Sequence, residues 1–254
     1  MKLTRKDFLR LTGLSLLAGG AKQAMHAIGQ SGSAARGVDP ERVQWGMVVD
    51  LTKCREKDGC HDCVKACNAA HNVPQFEDKT HEVKWIWTEP FATVFPSAQS
   101  SYAQQSYAGV VVPLMCNHCA DPPCTRVCPT QATWKREDGI VMMDWHRCIG
   151  CRYCIAACPY GSRSFNWQDP RPGLAKINPD FPTRTKGVVE KCNFCEERLA
   201  RGQSLACVDA CPQHVLTFGN LADPNSEPRL LLRSRFAVQR RPELGTGPSI
   251  YYLV

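Results

Sequence analysis

The chain has 254 residues, of which 16 are cysteine and 43% are hydrophobic, enough for a packed core. Its formal charge of +7 divides unevenly: residues 1–35 carry five Lys/Arg against one Asp, leaving 26 Lys/Arg against 23 Asp/Glu over 36–254. So small a surplus beyond the first segment argues against a nucleic-acid-binding surface, and the lack of a run of about eighteen uninterrupted apolar residues argues against a membrane-spanning helix.

Residues 1–35 read as an address. MKLTRKDFLRLTGLSLLAGGAKQA starts basic and continues into an apolar stretch from Leu11 to Ala21, too short to span a bilayer. The run Thr4-Arg5-Lys6-Asp7-Phe8-Leu9-Arg10 resembles a twin-arginine export signal with Lys6 where the second arginine is expected. That route carries folded proteins, which suits a chain that takes up metal before export. An ordinary amphipathic N-terminal helix is the alternative. Met25-His26-Ala27 and Ser33-Ala34-Ala35 both pass as cleavage sites, so retention as an anchor stays open. Residues 36–254 are expected to form a single domain.

The cysteines fall into four groups of four with none left over. Group one, CREKDGCHDCVKAC, holds Cys54, Cys60, Cys63 and Cys67. In residues 72–113, EVKWIWT and GVVVPLM predict two strands, and the Ser-, Gln-, Ala- and Tyr-rich stretch 96–107 predicts a loop. Group two, CNHCADPPCTRVCP, holds Cys116, Cys119, Cys124 and Cys128. After it, PTQATWKREDGIVMMDWHRC predicts a short strand, a turn at Asp138-Gly139 and a returning strand. Group three, CIGCRYCIAACP, holds Cys148, Cys151, Cys154 and Cys158. Residues 168–187, with Pro170, Pro172, Pro179 and Pro182 and no periodicity, predict a long loop that covers a site or meets a partner. Group four, CNFCEERLARGQSLACVDACP, holds Cys192, Cys195, Cys207 and Cys211. PQHVLTFGNL then looks like the strand–turn–strand element again, RLLLRSRFAVQRR like a basic helix, and LGTGPSIYYLV like an extended segment.

Group three has the C-x2-C-x2-C-x3-C-P spacing of bacterial ferredoxins, in which three thiols bind one iron–sulfur cube and the fourth reaches a neighbouring one. Groups two and three are close in sequence and joined by a ferredoxin-like half, so they should pair. One cluster then takes Cys116, Cys119, Cys124 and Cys158, and its neighbour takes Cys148, Cys151, Cys154 and Cys128. Groups one and four should pair across the chain: Cys54, Cys60, Cys63 with Cys211, and Cys192, Cys195, Cys207 with Cys67. The expected fold class is α+β, a tandem double-ferredoxin fold with small β-sheet insertions and long cluster-covering loops, holding four iron–sulfur clusters of the 4Fe–4S type.

Other uses of the thiols fit less well. Zinc sites take two C-x2-C pairs or pairs with histidine, and a zinc-stabilised interaction module is the rival of a different class. Crowding of this kind also suits a shared metal centre better than separate disulfides. No C-x-x-C-H, G-x-G-x-x-G or phosphate loop supports haem attachment or nucleotide binding. His61, His71, His81, His118, His146 and His214 read as flanking or loop residues; His118 could tune a cluster, though a surface or packing role is the plainer reading. Trp134, Trp145, Tyr153, Tyr160 and Phe194 are placed to exclude water. Lys53, Arg55, Arg147, Arg152 and Lys191 either offset cluster charge or face solvent.

The four groups, with CNHCADPPCTRVCP and ERLARG…ACVDACP, resemble the four-cluster electron-transfer subunits of the molybdopterin oxidoreductase superfamily over nearly all of residues 43–254. FNWQDPRP, FPTRTKGVVEKCNFCEERLA and LGTGPSIYYLV, with the export-like start, are most similar to the DsrO branch, periplasmic iron–sulfur subunits of the Dsr membrane redox complex. Iron–sulfur subunits of related quinone reductase complexes are close relatives. The resemblance implies a periplasmic electron carrier with no catalytic site and no small-molecule substrate of its own. Its implied partners are an integral membrane quinone-interacting subunit, which would hold it at the membrane surface, and a multihaem cytochrome c subunit. Group one departs from the pattern: five residues separate Cys54 from Cys60, and no proline follows Cys67.

Overall fold

The structure is a computed structural model that describes residues 43–54, 59–96 and 107–254. The export-like segment, Arg55 and most of the loop predicted at 96–107 lie outside the described residues. Strand β1 (Trp45–Asp50) runs into a helical turn α1 (Leu51–Cys54), and helix α2 (Asp62–Ala70) carries Cys63 and Cys67. Strand β2 (Ile86–Pro90) and the turn α3 (Phe91–Val94) lead to β3 (Val111–Met115), which pairs with β2 antiparallel, Ile86 opposite Met115. These are the two strands predicted between groups one and two.

Group two holds the helical turn α4 (Pro123–Arg126), followed by the hairpin β4 (Thr133–Lys135) and β5 (Val141–Met143). Its turn is closed by Arg136 N–H donating to the Ile140 carbonyl at 2.8 Å, with Gly139 at φ +88°, where a side chain would be strained. Group three holds α5 (Tyr153–Ala156); β6 (Ser164–Phe165) and β7 (Val189–Glu190) then pair around the proline-rich loop. Group four holds α6 (Glu196–Leu199) and α7 (Ala206–Asp209). The chain ends with β8 (Leu216–Asn220), helix α8 (Glu227–Ser234), β9 (Ala237–Val238) and β10 (Ile250–Leu253).

Helices α4, α5 and α7 are single turns for a local reason. In each, the last cysteine of the group stands two residues beyond the helix and is followed by Pro129, Pro159 or Pro212. Proline lacks the N–H to continue the ladder and biases the residue before it away from helix. After Cys67 comes Asn68, and α2 runs on to Ala70.

Two expectations about the C-terminal region change. PQHVLTFGNL forms one strand, β8, and its partner is the distant β1 rather than a local return strand. β1 lies between β8 (antiparallel, Val49 opposite Leu216) and β10 (parallel, Met47 opposite Ile250), in a sheet of order β8-β1-β10-β9. A strand paired on both sides and covered on both faces reads as an unbroken apolar run, and Met47, Val48 and Val49 are all fully buried. Gly46 is required here, since a Cβ would stand 2.2 Å from Leu221 Cδ1 and 2.7 Å from the Ser249 carbonyl. The basic helix stops at Ser234 because Arg235 turns extended and its guanidinium bonds both carboxylate oxygens of Asp50 in β1, Nη2 at 3.2 Å. The rest of that segment becomes β9. LGTGPSIYYLV packs in the domain's own sheet as β10.

The 168–187 loop covers the end of α2. Arg184 donates to the carbonyls of His71 and Asn72 (Nη2 to Asn72 at 2.6 Å), and Asn178 Nδ2 to the Ala70 carbonyl at 2.7 Å. These are carbonyls at and just beyond a helix end, which have no partner within the helix. Arg184 in turn pairs with Glu190 at 2.6 Å, both fully buried, and Trp85 Nε1 donates to the same carboxylate at 2.7 Å. All described residues belong to one compact unit, Pro40–Val254, and among them no helix is long and apolar enough to cross a membrane.

Candidate metal centres

The fold gathers the sixteen thiols into four sets, each drawn from two groups. Cys54, Cys60, Cys63 and Cys211 line one cavity of about 180 Å³, roofed by Val111 and Pro113. Cys116, Cys119, Cys124 and Cys158 line a second, and Cys128, Cys148, Cys151 and Cys154 a third. Cys67 faces Cys192, Cys207 and Cys195, in that order of electrostatic influence. The sets follow one another: Cys63 acts on Cys67, Cys116 on Cys192, and Cys124 on Cys154.

Local geometry explains the gathering. Gly150 sits at φ +69°, and a Cβ there would meet the Gly187 carbonyl at 2.3 Å, so glycine lets group three close against β7. Backbone N–H groups point at sulfur: Val189 to Cys148 at 3.5 Å, Phe194 to Cys192 at 3.5 Å and Val215 to Cys211 at 3.3 Å. Such donors stabilise thiolates and the sulfurs of a bound cluster.

Burial is the first cause that pushes these thiols up, and neighbouring thiols, of the same set for Cys63 and Cys67 and of the adjoining Cys116 set for Cys192, come next. Cys63, Cys119 and Cys192 are each pushed up to about 12, and Cys67 and Cys207 rise well above the ordinary value. Cys128 differs: burial raises it, but hydrogen bonds from the Thr130 side chain and nearby backbone outweigh that, and the net shift is down. Four mutually repelling buried thiols hold thiolate charge only around a strongly positive centre, and metal binding releases their protons. The donor set therefore fits an iron–sulfur core. So does Asn117: its amide lines the Cys116 cavity with neither Oδ1 nor Nδ2 bonded, leaving an N–H donor for a sulfide.

The Cys116 and Cys192 sets meet at a mirrored pair of loops, CNHC and CNFC. His118 and Phe194 occupy the same position in each, both in left-handed backbone (φ +40° and +56°), with rings stacked 3.7 Å apart. A bulky residue there carries strain of about 1–2 kcal/mol. His118 is wholly buried; its Nδ1 accepts from Val141 N–H at 3.0 Å, and Nε2 has no partner among the described residues. Burial, then the charges of Lys191 and Arg163, hold its pKa well below the usual histidine range. Its surface reading is thereby corrected: the ring packs in the wall between two thiol sets.

Lys191 is likewise a buried residue, 1% exposed. Its Nζ donates to the carbonyls of Val141 and Cys192, the latter at 2.7 Å. Of the other cations considered, Lys53 is exposed beside the His214 carbonyl, Arg147 is exposed and paired with Asp144, and Arg152 is exposed and stacks over Trp167 at 4.7 Å. Tyr160 and Phe194 are buried and shield sulfur, whereas Trp134 and Tyr153, at 40% and 63% exposed, do not close off solvent.

Two polar groups escape the sequence reading, Arg163 and Glu197, and a third, His71, reads there only as a flanking or loop residue. Arg163, 5% exposed, donates from Nη2 to Cys124 Sγ at 3.0 Å and to Thr133 Oγ1 at 2.8 Å. Glu197 accepts from His71 Nε2 at 3.0 Å and Asn193 Nδ2 at 3.1 Å, beside Cys192 and Cys195. Nothing in CPYGSRS or CEERL distinguishes Arg163 or Glu197 from a surface charge. His71, four residues beyond Cys67 on a helix, could have been placed on the cysteine's face.

Comparison with known proteins finds iron–sulfur domains over the cysteine-rich part of the chain. Residues 107–172 match one 4Fe-4S dicluster domain and residues 147–215 a second. The chain is similar to the Hdr-like menaquinol oxidoreductase iron-sulfur subunit 1 of Archaeoglobus fulgidus, 40% identical over 98% of this chain and 97% of the relative. It is 36% identical to the menaquinone reductase iron-sulfur cluster-binding subunit of Nitratidesulfovibrio vulgaris, covering 84% and 89% of the two chains. It is also 36% identical to the arsenate respiratory reductase iron-sulfur subunit ArrB of a Shewanella species, covering 82% and 95%.

Proposed function

The chain belongs to the iron–sulfur electron-transfer subunits of the molybdopterin oxidoreductase family, and from that premise we propose that it holds four 4Fe–4S clusters. The ligands are Cys54, Cys60, Cys63 and Cys211; Cys192, Cys195, Cys207 and Cys67; Cys116, Cys119, Cys124 and Cys158; and Cys148, Cys151, Cys154 and Cys128. The observation that carries this reading is the crossing of groups within each set, with Cys128, Cys158, Cys67 and Cys211 each facing thiols of another group. When bound, such clusters accept and pass on single electrons. The protein's part is to hold each core in thiolate, aim N–H donors at sulfur, exclude water with Tyr160, Phe194 and Val189, and place fixed charges nearby. It transforms no substrate itself.

The partners proposed are an integral membrane quinone-interacting subunit and a multihaem cytochrome c subunit, as in the DsrO branch, with the chain exported by residues 1–35 to the periplasm and held at the membrane surface by its partners. The Thr4–Arg10 run and FNWQDPRP support this branch. The second reading, the iron–sulfur subunit of a related quinone reductase complex, is favoured by the 40% identity to the menaquinol oxidoreductase subunit. Iron and acid-labile sulfide in the purified protein test the cofactor; stoichiometric zinc without iron would refute it. Purification from membranes with its neighbours tests the proposed partners: a co-purifying subunit with covalent haem supports the cytochrome, and a complex without one refutes it.

A further inference from the structure

Two fully enclosed cations meet at one thiol set. Arg163 and Lys191 are buried, and neither pairs with a carboxylate among the described residues. A buried charge with no counter-charge is strongly unfavourable, so each cation must face negative charge inside the protein. The negative groups within their reach are the thiolates. Arg163 acts on Cys124, Cys154 and Cys116, and Lys191 on Cys116, Cys192 and Cys124. The set common to both is the one containing Cys116 and Cys124.

The other sets are supplied differently. The Cys192 set shares Lys191 and has Arg198 acting on Cys195, but Glu197 opposes both, bearing on Cys192 and, ahead of Arg198, on Cys195. The Cys148 set shares Arg163 through Cys154 alone among its resolved influences. In the Cys54 set, Cys54 and Cys63 feel burial and the other thiols of the set, Cys211 first, with no cation among their main influences. Fixed positive charge favours the form of a cluster that carries the extra electron, and net charge is one of the main determinants of cluster potential.

We propose that Lys191 and Arg163 make the cluster held by Cys116, Cys119, Cys124 and Cys158 the most readily reduced of the four. This rests on the four-cluster reading above. Because that set neighbours the Cys192 set on one side and the Cys148 set on the other, an electron delivered from either end settles inside the chain.

The test is a reductive titration of the intact, iron-loaded protein followed by electron paramagnetic resonance. In the wild type the first signal to appear must be the one altered by Cys119→Ser. A first signal altered by Cys60→Ser instead overturns the proposal without any buried charge having been changed. Lys191→Met should move that signal to lower potential by at least a tenfold change in the reduced-to-oxidised ratio, which is 59 mV for one electron, while Lys191→Arg restores it. Equal behaviour of Met and Arg at this position, shifted or unshifted, means that packing and not charge is at work and overturns it. Iron and sulfide analysis of the same samples separates the two levels: protein without iron refutes the cluster reading, whereas loaded protein with unmoved potentials refutes only the charge assignment.

Discussion

The inner pair of cysteine groups and the outer pair solve the same problem by different means. Groups two and three lie within residues 116–158, are joined by the local β4–β5 hairpin, and end their helical turns at Pro129 and Pro159. Groups one and four stand at opposite ends of the domain and are brought together by β1, paired with β8 and β10. Group one has no proline after Cys67, so α2 extends, and the carbonyls at its end must be met by a loop more than a hundred residues away. Local chain chemistry therefore suffices for the inner pair, whereas the outer pair depends on long-range buried contacts and should fail first.

The sharpest break between the two pairs is at the crossing thiols. Cys128→Ala should remove the same spectroscopic signal as Cys148→Ala and leave the Cys116 signal in place; a match to Cys116→Ala would mean that each group serves its own cluster. Next in size is the brace on α2. Removing one partner of the buried Arg184–Glu190 pair, as in Glu190→Ala, strands the other charge and two further donors, Trp85 Nε1 and Asn166 Nδ2, at about 3–5 kcal/mol. Denaturant unfolding should show this loss, with iron leaving the outer sets before the inner ones.

Asn68→Pro imposes the inner pattern on group one. It removes an intrahelical bond of α2 and should cost about 3 kcal/mol. Pro159→Ala, the converse change, should cost less than about 1 kcal/mol. Similar midpoints for these two variants would refute the local account of helix length. The smallest effect is at Asp50, which Arg235 ties to the C-terminal segment. Burial raises its pKa, but the bonds from Arg235 and Thr52 outweigh this, so the folded value lies below 3.8. The contribution is complete above the unfolded value and is lost as pH falls through the folded one. Asp50→Asn should therefore flatten the acid limb of the stability curve and leave the slope above about pH 5 unchanged, since model aspartates titrate near 3.9.

Spacing and proline made much of this legible. The four groups, the hairpin at Asp138-Gly139 and the strands before group two are short-range patterns, each decided by a few consecutive residues. The second copy of the hairpin was misread because PQHVLTFGNL has a strand's composition, and composition does not say which backbone edge it will meet. Lys191 and His118 look like surface residues in sequence because a single charged or aromatic side chain carries no periodicity. Their burial comes from the meeting of CNHC with CNFC.

From sequence alone came the sulfur chemistry, the number of thiol groups and the stop signals after the fourth cysteine of groups two, three and four, because these depend on covalent identity and local backbone preference. Tertiary structure decided where the counter-charges lie. Arg163 and Lys191 stand 28 residues apart, and Glu197 lies 126 residues from His71. Electrostatic influence depends on distance in space and on exclusion of water, and both are set only when the two ends of the chain close over the central hairpin.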